Sequence, residues 1–131
     1  METGIQLESI SGGEEAQLLQ RAVQRVMDLS KGRVMLADLG GGSLEVTLLE
    51  DGEIEFAESF RMGTVRMLKM FPYHPEREKA FLNWAEYYVE DFIDFLKKRL
   101  GKPRVETLVI TGGNATAIGR FSGKTDRDAP G

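Results

Sequence analysis

The sequence contains no cysteine, which removes disulfide cross-links, thiolate zinc sites and a cysteine nucleophile from consideration together. Histidine occurs once, as His74 between the prolines of "PYHP", where a surface turn explains it better than a ligand role. Positive charge is not in excess: the formal net charge is −4, so nothing draws nucleic acid electrostatically. No run approaches the roughly 18 apolar residues of a membrane span, and no segment has the form of a signal-peptide core. These absences point to a cytoplasmic domain with neither a membrane nor a nucleic-acid partner. What is present is 131 residues, 41% hydrophobic and 29% charged. That is enough for one domain with a real core and is unlike a disordered chain.

The hydrophobic pattern orders the elements. "GIQLESI" alternates loosely and suggests a short strand, and "SGGEEAQLLQRAVQRVMDLSKG" reads as a helix closed by Lys31-Gly32. "RVMLADL" is a short apolar strand, and "SLEVTLLEDGEIEFAESFR" is two strands around the hairpin signal Asp51-Gly52. "MGTVRMLKMF" forms a short helix broken by Pro72 and Pro75. A long helix follows from Pro75 to Leu100, with Phe81, Ala85, Tyr88, Phe92 and Phe95/Leu96 at helical spacing, stopped by Gly101 and Pro103. "VETLVIT" is a further strand, and "GGNATAIGRF" turns through glycines into a helix. The tail, 122–131, has no periodicity. This order predicts an α/β domain, a mixed sheet with a hairpin flanked by helices.

Two glycine loops at strand ends draw attention. In "MLADLGGGSLEV" an apolar run ends in Asp38, followed by Gly40, Gly41, Gly42 and Ser43. Successive glycines let backbone N–H groups converge on an anion, and the serine adds a hydroxyl donor. Asp38 would repel phosphate directly but suits Mg²⁺, which bridges carboxylate and phosphate oxygens. On a strand, Glu45 faces the same side as Ser43. The alternative is a tight hairpin in which the glycines supply only turn geometry. "TGGNATA" repeats the design: Gly112 and Gly113 open space, and Asn114 or Thr116 could cap the next helix, whose N-terminus attracts anions.

The adjacent glutamates of "SGGEEA" separate on physical grounds. Ser11-x-x-Glu14 fits a capping box, which gives Glu14 a structural role. Leu18, Leu19, Ala22, Val23, Val26 and Met27 form one apolar stripe at 100° per residue, and Glu15 projects from its middle. Such a carboxylate faces a partner, faces a cleft suited to general-base chemistry, or is exposed by the helix end.

Taken together, "ISGGEEAQLL", "ADLGGGSLEV", "FRMGTVRM" and "TGGNATAIG" resemble, in order and spacing, the exopolyphosphatase/guanosine pentaphosphate phosphohydrolase (Ppx/GppA) family. The match runs from about Ile5 to Phe121. The resemblance implies a lobe of the ribonuclease H-like fold shared by sugar kinases, Hsp70 and actin. It implies Glu15 as the base that activates water, and Asp38 and Glu45 as acidic residues associated with Mg²⁺. It also implies Gly40 to Ser43 as a phosphate loop, with Gly112, Gly113 and Asn114 in a second loop on the nucleotide side. Gly63 and Arg66 match a G-x-x-R turn, where Arg66 meets phosphate or pairs with a surface acid. Two positions depart from the pattern: Leu44 replaces a threonine after the loop serine, and Gly13 replaces a polar residue.

Family members have two lobes, and the chain looks like the second one. Residues 1–32 would be the connecting strand and the glutamate helix, 33–121 the lobe and 122–131 a tail. The missing first lobe would then be a partner of the site, and the expected chain is an excised or truncated piece, inactive by itself. The implied activity is Mg²⁺-dependent hydrolysis of phosphoanhydrides in polyphosphate or a phosphorylated guanine nucleotide. The alternative is a non-catalytic phosphate-binding regulatory module; a kinase-like member of the superfamily fits the "SGGEEA" helix less well. Apolar surface left by the other lobe could also produce a homodimer.

Overall fold

A computed structural model describes Gly4, Gln6, residues 8–101 and residues 104–121. The strand expected over 4–10 depends on Ile5 and Leu7, which lie outside the described residues, as does the tail from 122 onward. The described elements are α1 (Gly12–Gln24), β1 (Arg33–Leu39), β2 (Leu44–Glu50), β3 (Glu53–Phe60), α2 (Thr64–Met70), a 3₁₀ turn (Pro75–Arg77), α3 (Glu78–Leu100), β4 (Thr107–Thr111) and α4 (Gly113–Phe121). The α/β character, the hairpin and the short helix thus stand where the pattern puts them, and the long helix ends at Leu100 as expected but starts at Glu78, Pro75 opening a separate 3₁₀ turn before it.

The four strands form one mixed sheet in the order β3-β2-β1-β4. β1 runs antiparallel to β2 and parallel to β4, and β2 and β3 form the hairpin. Asp51 and Gly52 turn that hairpin with φ of 48° and 87°, the left-handed pair that two-residue hairpins require. Its tip is tied down from two sides. The Asp51 carboxylate accepts the Gly32 N–H at 2.8 Å, and the Gln20 side-chain amide donates to the Gly52 carbonyl at 2.6 Å.

Alternation sorts the strands onto two faces. On one face Val34, Leu36 and Leu49 meet Val23 of α1 and Leu29, with Leu19, Ile54 and Val109 around them. On the other, Phe92 and Phe95 of α3 stand edge-on to Phe60, with ring centroids 4.9 and 5.8 Å away, and Arg99 lies 5.2 Å over Phe56. Phe71, just past α2, stacks on Trp84 at 4.9 Å, which stacks in turn on Tyr88. Phe81, Trp84, Tyr88, Phe92 and Phe95 of α3 are therefore packing residues, whereas Tyr87 is exposed. No described helix is long and apolar enough to cross a membrane.

Helix α1 begins as expected. Ser11 caps it, the Glu14 carboxylate accepts from the Ser11 N–H and hydroxyl at 2.8 Å each, and the capping box is complete. Its end differs: the helix stops at Gln24, not at Lys31-Gly32. Val26 and Met27 both donate their N–H to the Val23 carbonyl, and Asp28 accepts the Ser30 N–H in a local turn. That turn drops Leu29 into the core, where it is buried. The apolar stripe is corrected accordingly. Ala16, Leu19 and Val23 face the sheet, whereas Leu18 and Val26 are 54% and 78% exposed. Glu15 consequently sits at the stripe's flank and is exposed.

Arg33 is the one charged residue in the described core, 3% exposed. It forms ion pairs of 2.8 Å with Glu50 and with Glu55, and donates to the Leu100 carbonyl at 3.1 Å. The hydrogen bond to Glu55 holds its pKa above the usual value against the cost of burial. It thereby joins β1, β2, β3 and the end of α3. Arg33→Ala is expected to lower the unfolding free energy by about 2 kcal/mol in urea titrations with an unchanged slope. The loss stays modest because Glu50 and Glu55 are each about half exposed and water takes over their solvation. A loss under about 0.5 kcal/mol would reduce these contacts to ordinary surface pairs.

The capping box carries its own pH signature. Hydrogen bonds from Ser11, backbone first and hydroxyl second, hold the Glu14 carboxyl below its ordinary 4.5. Its contribution is complete above that ordinary value and is lost as pH falls through the lower folded value. Titration by NMR should show the Ser11 amide and the Glu14 carboxyl moving together below pH 4.5. Independent titration of the two would show the cap is not formed.

Candidate functional site

The register of the sheet builds the site. Asp38 on β1 lies directly opposite Glu45 on β2 and Thr111 on β4, and Glu45 lies opposite Ser59 on β3. Thr111, Asp38, Glu45 and Ser59 thus form one polar row across all four strands. It continues the face whose other end is the apolar core beneath α1. The Ser59 hydroxyl donates to the Glu45 carboxylate at 3.0 Å. The Thr111 hydroxyl is buried with no hydrogen-bond partner among the described residues.

Over this row sits the first turn of α1. Gly12, Gly13, Glu15, Ala16 and Leu19 close a cavity of about 130 Å³ together with Asp38, Glu45, Thr47 and Ser59. Four acidic residues line this space, Glu15 from α1, Asp38 from β1, Glu45 from β2 and Glu58 from β3. Like charges directly opposite in an antiparallel pair are destabilising unless something positive lies between them. Among the described residues no cationic side chain pairs with Asp38 or Glu45. Nor do three acidic or histidine side chains among them approach closely enough to hold a metal ion unaided.

The glycine loop joins β1 to β2 as a four-residue turn, closed by the Gly40 N–H donating to the Ser43 carbonyl at 3.0 Å. It lies outside the carboxylate cavity. None of Gly40, Gly41 and Gly42 has a positive φ, so left-handed turn geometry does not account for them. A side chain at Gly42 would meet nothing within 4 Å, so no contact within the described chain calls for glycine there either. The close approach is instead at Gly63, the buried N-cap of α2, where a Cβ would run into the backbone of Gly41 and Gly42. This packing lets the Thr64 N–H donate to the Gly40 carbonyl and the Arg66 N–H to the Gly41 carbonyl, each at 3.1 Å. The Arg66 Nε–H donates to the Gly42 carbonyl at 2.9 Å. Arg66 therefore pairs with no surface acid among the described residues; it holds the loop.

The second glycine loop meets the first. Gly112 has φ of +94°, and a Cβ there would lie 2.6 Å from an Asp38 carboxylate oxygen and 2.9 Å from the Leu39 carbonyl. Asn114 donates to the Leu39 carbonyl at 2.9 Å and accepts from the Thr64 hydroxyl at 3.4 Å. Since α4 starts at Gly113, neither Asn114 nor Thr116 caps it. Asn114 instead bridges the end of β1 to the start of α2. Both loops are thus in place around Asp38 and Leu39, but Asn114 spends its amide on the protein itself.

Ser59, Thr64 and Thr111 were absent from the sequence-derived set. The period-two pattern of β3 places Ser59 on the same face as Ala57, a usable signal. Thr111 and Thr64 become visible only once strand pairing and loop contacts are known. Gly112→Ala should cost about 1–3 kcal/mol, because it combines a forbidden backbone conformation with collision against Asp38. Thermal unfolding and the Asp38 carboxyl resonance would report it; unchanged values for both would disprove the contact.

The chain and its fold have counterparts among known proteins. Residues 1–120 match the family model of the Ppx/GppA phosphatase family. Exopolyphosphatase 1 of Mycobacterium tuberculosis is 36% identical over 110 residues, which cover 82% of this chain and 29% of that protein. The chain thus spans under a third of this curated relative. The crystal structure of an exopolyphosphatase from Cytophaga hutchinsonii superimposes with a TM-score of 0.77 at 27% identity, covering 99% of this chain and 42% of that one. An archaeal actin homologue, at 18% identity and a TM-score of 0.51 over 88% of this chain and 47% of its own, shares the fold alone. The sheet is therefore that of an actin-like lobe, and the chain belongs to the Ppx/GppA phosphatase family.

Proposed function

We propose that the full-length protein containing this chain is a Mg²⁺-dependent hydrolase that removes terminal phosphate from inorganic polyphosphate, or from guanosine pentaphosphate, which ends in the same anhydride. The observation that carries this reading is the convergence of Glu15, Asp38 and Glu45 on one cavity beside two glycine loops. The names of the exopolyphosphatase relatives favour polyphosphate.

Asp38 and Glu45 fit the group this chemistry needs. Their unneutralised opposition suits a small hard cation, and two carboxylates suffice for Mg²⁺ when phosphate oxygens and water complete its shell. When bound, that ion would neutralise charge on the phosphate. Glu15 would orient a water and take its proton as the water oxygen bonds to the terminal phosphorus and the bridging P–O bond breaks. Amides of the glycine loop and the Ser43 hydroxyl would donate to the phosphate oxygens. The exposure of Glu15 in this chain is consistent with a base that meets substrate from the open side.

Glu15→Gln in the full-length protein should lower kcat at least about 100-fold, the usual worth of a general base, with KM within a few-fold. Steady-state phosphate release from polyphosphate measures it. Wild-type turnover would remove Glu15 from the role of base.

A further inference from the structure

The contacts of Arg66 point away from the role its motif suggests. Three successive carbonyls of the glycine loop are each occupied from the α2 side: Gly40 by the Thr64 N–H, Gly41 by the Arg66 N–H and Gly42 by the Arg66 Nε–H. In a planar trans peptide the C=O and the next N–H point in opposite directions. Tying the three carbonyls toward α2 therefore turns the N–H groups of Gly41, Gly42 and Ser43 away from it. Among the described residues those three amides have no acceptor. Two of the three ties come from one residue, and the third tie, to Gly42, is made by a side chain.

We propose that Arg66 is a positioning residue: through its Nε–H bond to the Gly42 carbonyl it sets the Gly42–Ser43 peptide plane, which aims the Ser43 amide at phosphate beside those of Gly41 and Gly42, and it is not itself the phosphate ligand. This rests on the reading of the loop as a phosphate cradle. Two features support a built device. Gly63 lacks the Cβ that would push α2 off the loop, and Val65, the neighbour of Arg66, would lie 3.2 Å from a Cβ at Gly41. Arg66 and Lys69 also border a separate cavity with Gly41, Gly42, Val65 and Met70.

Chemistry offers a clean separation of the two roles. Glutamine carries an amide nitrogen as many bonds from Cα as the arginine Nε, so Arg66→Gln keeps the donor and loses the charge. Arg66→Lys keeps the charge and puts a methylene where the donor was. Amide shifts and hydrogen exchange of Gly41, Gly42 and Ser43 should be compared by NMR in the 131-residue chain, first without ligand and then during titration with tripolyphosphate and Mg²⁺. The expectation is parent-like loop amides and affinity within about threefold for Arg66→Gln, with displaced amides and about tenfold weaker binding for Arg66→Lys and Arg66→Ala. The reverse order, lysine retaining binding and glutamine losing it with loop amides unmoved, would make Arg66 a charge ligand and overturn the proposal. Failure of the parent chain to bind tripolyphosphate would count against the cradle alone, since the ligand-free amides still decide whether Arg66 sets the loop.

Discussion

The register of β1 is the constraint on which everything else depends. β1 pairs with β2 on one side and β4 on the other, so its alternation is imposed on the whole sheet. With Val34 and Leu36 turned toward α1, Asp38 must follow on the same face, and its opposite residues Glu45 and Thr111 come with it. A slip of one residue would bury Met35 and Ala37 under α1 and send the carboxylates to the α3 face. Core and site are two ends of a single stripe. Arg33, at the opposite end of the strand from Asp38, anchors that register by its pairs with Glu50 and Glu55.

The same economy governs the loops. Gly63 and Gly112 are required by close approach, one to the backbone of Gly41 and Gly42 and one to Asp38. Gly42 is not required by any contact within the described chain. Backbone groups divide along the same line: the Gly40, Gly41 and Gly42 carbonyls are satisfied from α2, while the Gly41, Gly42 and Ser43 amides have no acceptor among the described residues. A buried or half-buried loop ordinarily pairs both. Under the proposed function, these amides would donate to phosphate oxygens.

Electrostatics supplies the remaining logic. A cavity lined by four acidic residues repels a polyanion, and converging loop amides attract one. The two lie side by side, separated by little more than the turn after Asp38. Under the proposed function, a bound cation would reconcile them as halves of one phosphate-handling surface.

Much of this was legible in the residues alone. Asp51-Gly52 determined the hairpin because only left-handed backbone closes a two-residue turn. Ser11 and Glu14 determined the start of α1 because their side chains satisfy each other's backbone, and helical periodicity determined α3. The separation of Glu15 from Glu14 followed from the same local chemistry. Tertiary structure decided what local pattern could not. It ended α1 at Gln24, because the Asp28–Ser30 turn lets Leu29 fill the core. It gave Asn114 and Arg66 to the loops as struts, and it recruited Ser59 and Thr111 to the carboxylate row. Sequence determines where the chain can turn and which face is apolar, because those are short-range properties of backbone and side chain. Which polar groups meet across strands depends on pairing between residues far apart, and that is settled only when the sheet closes.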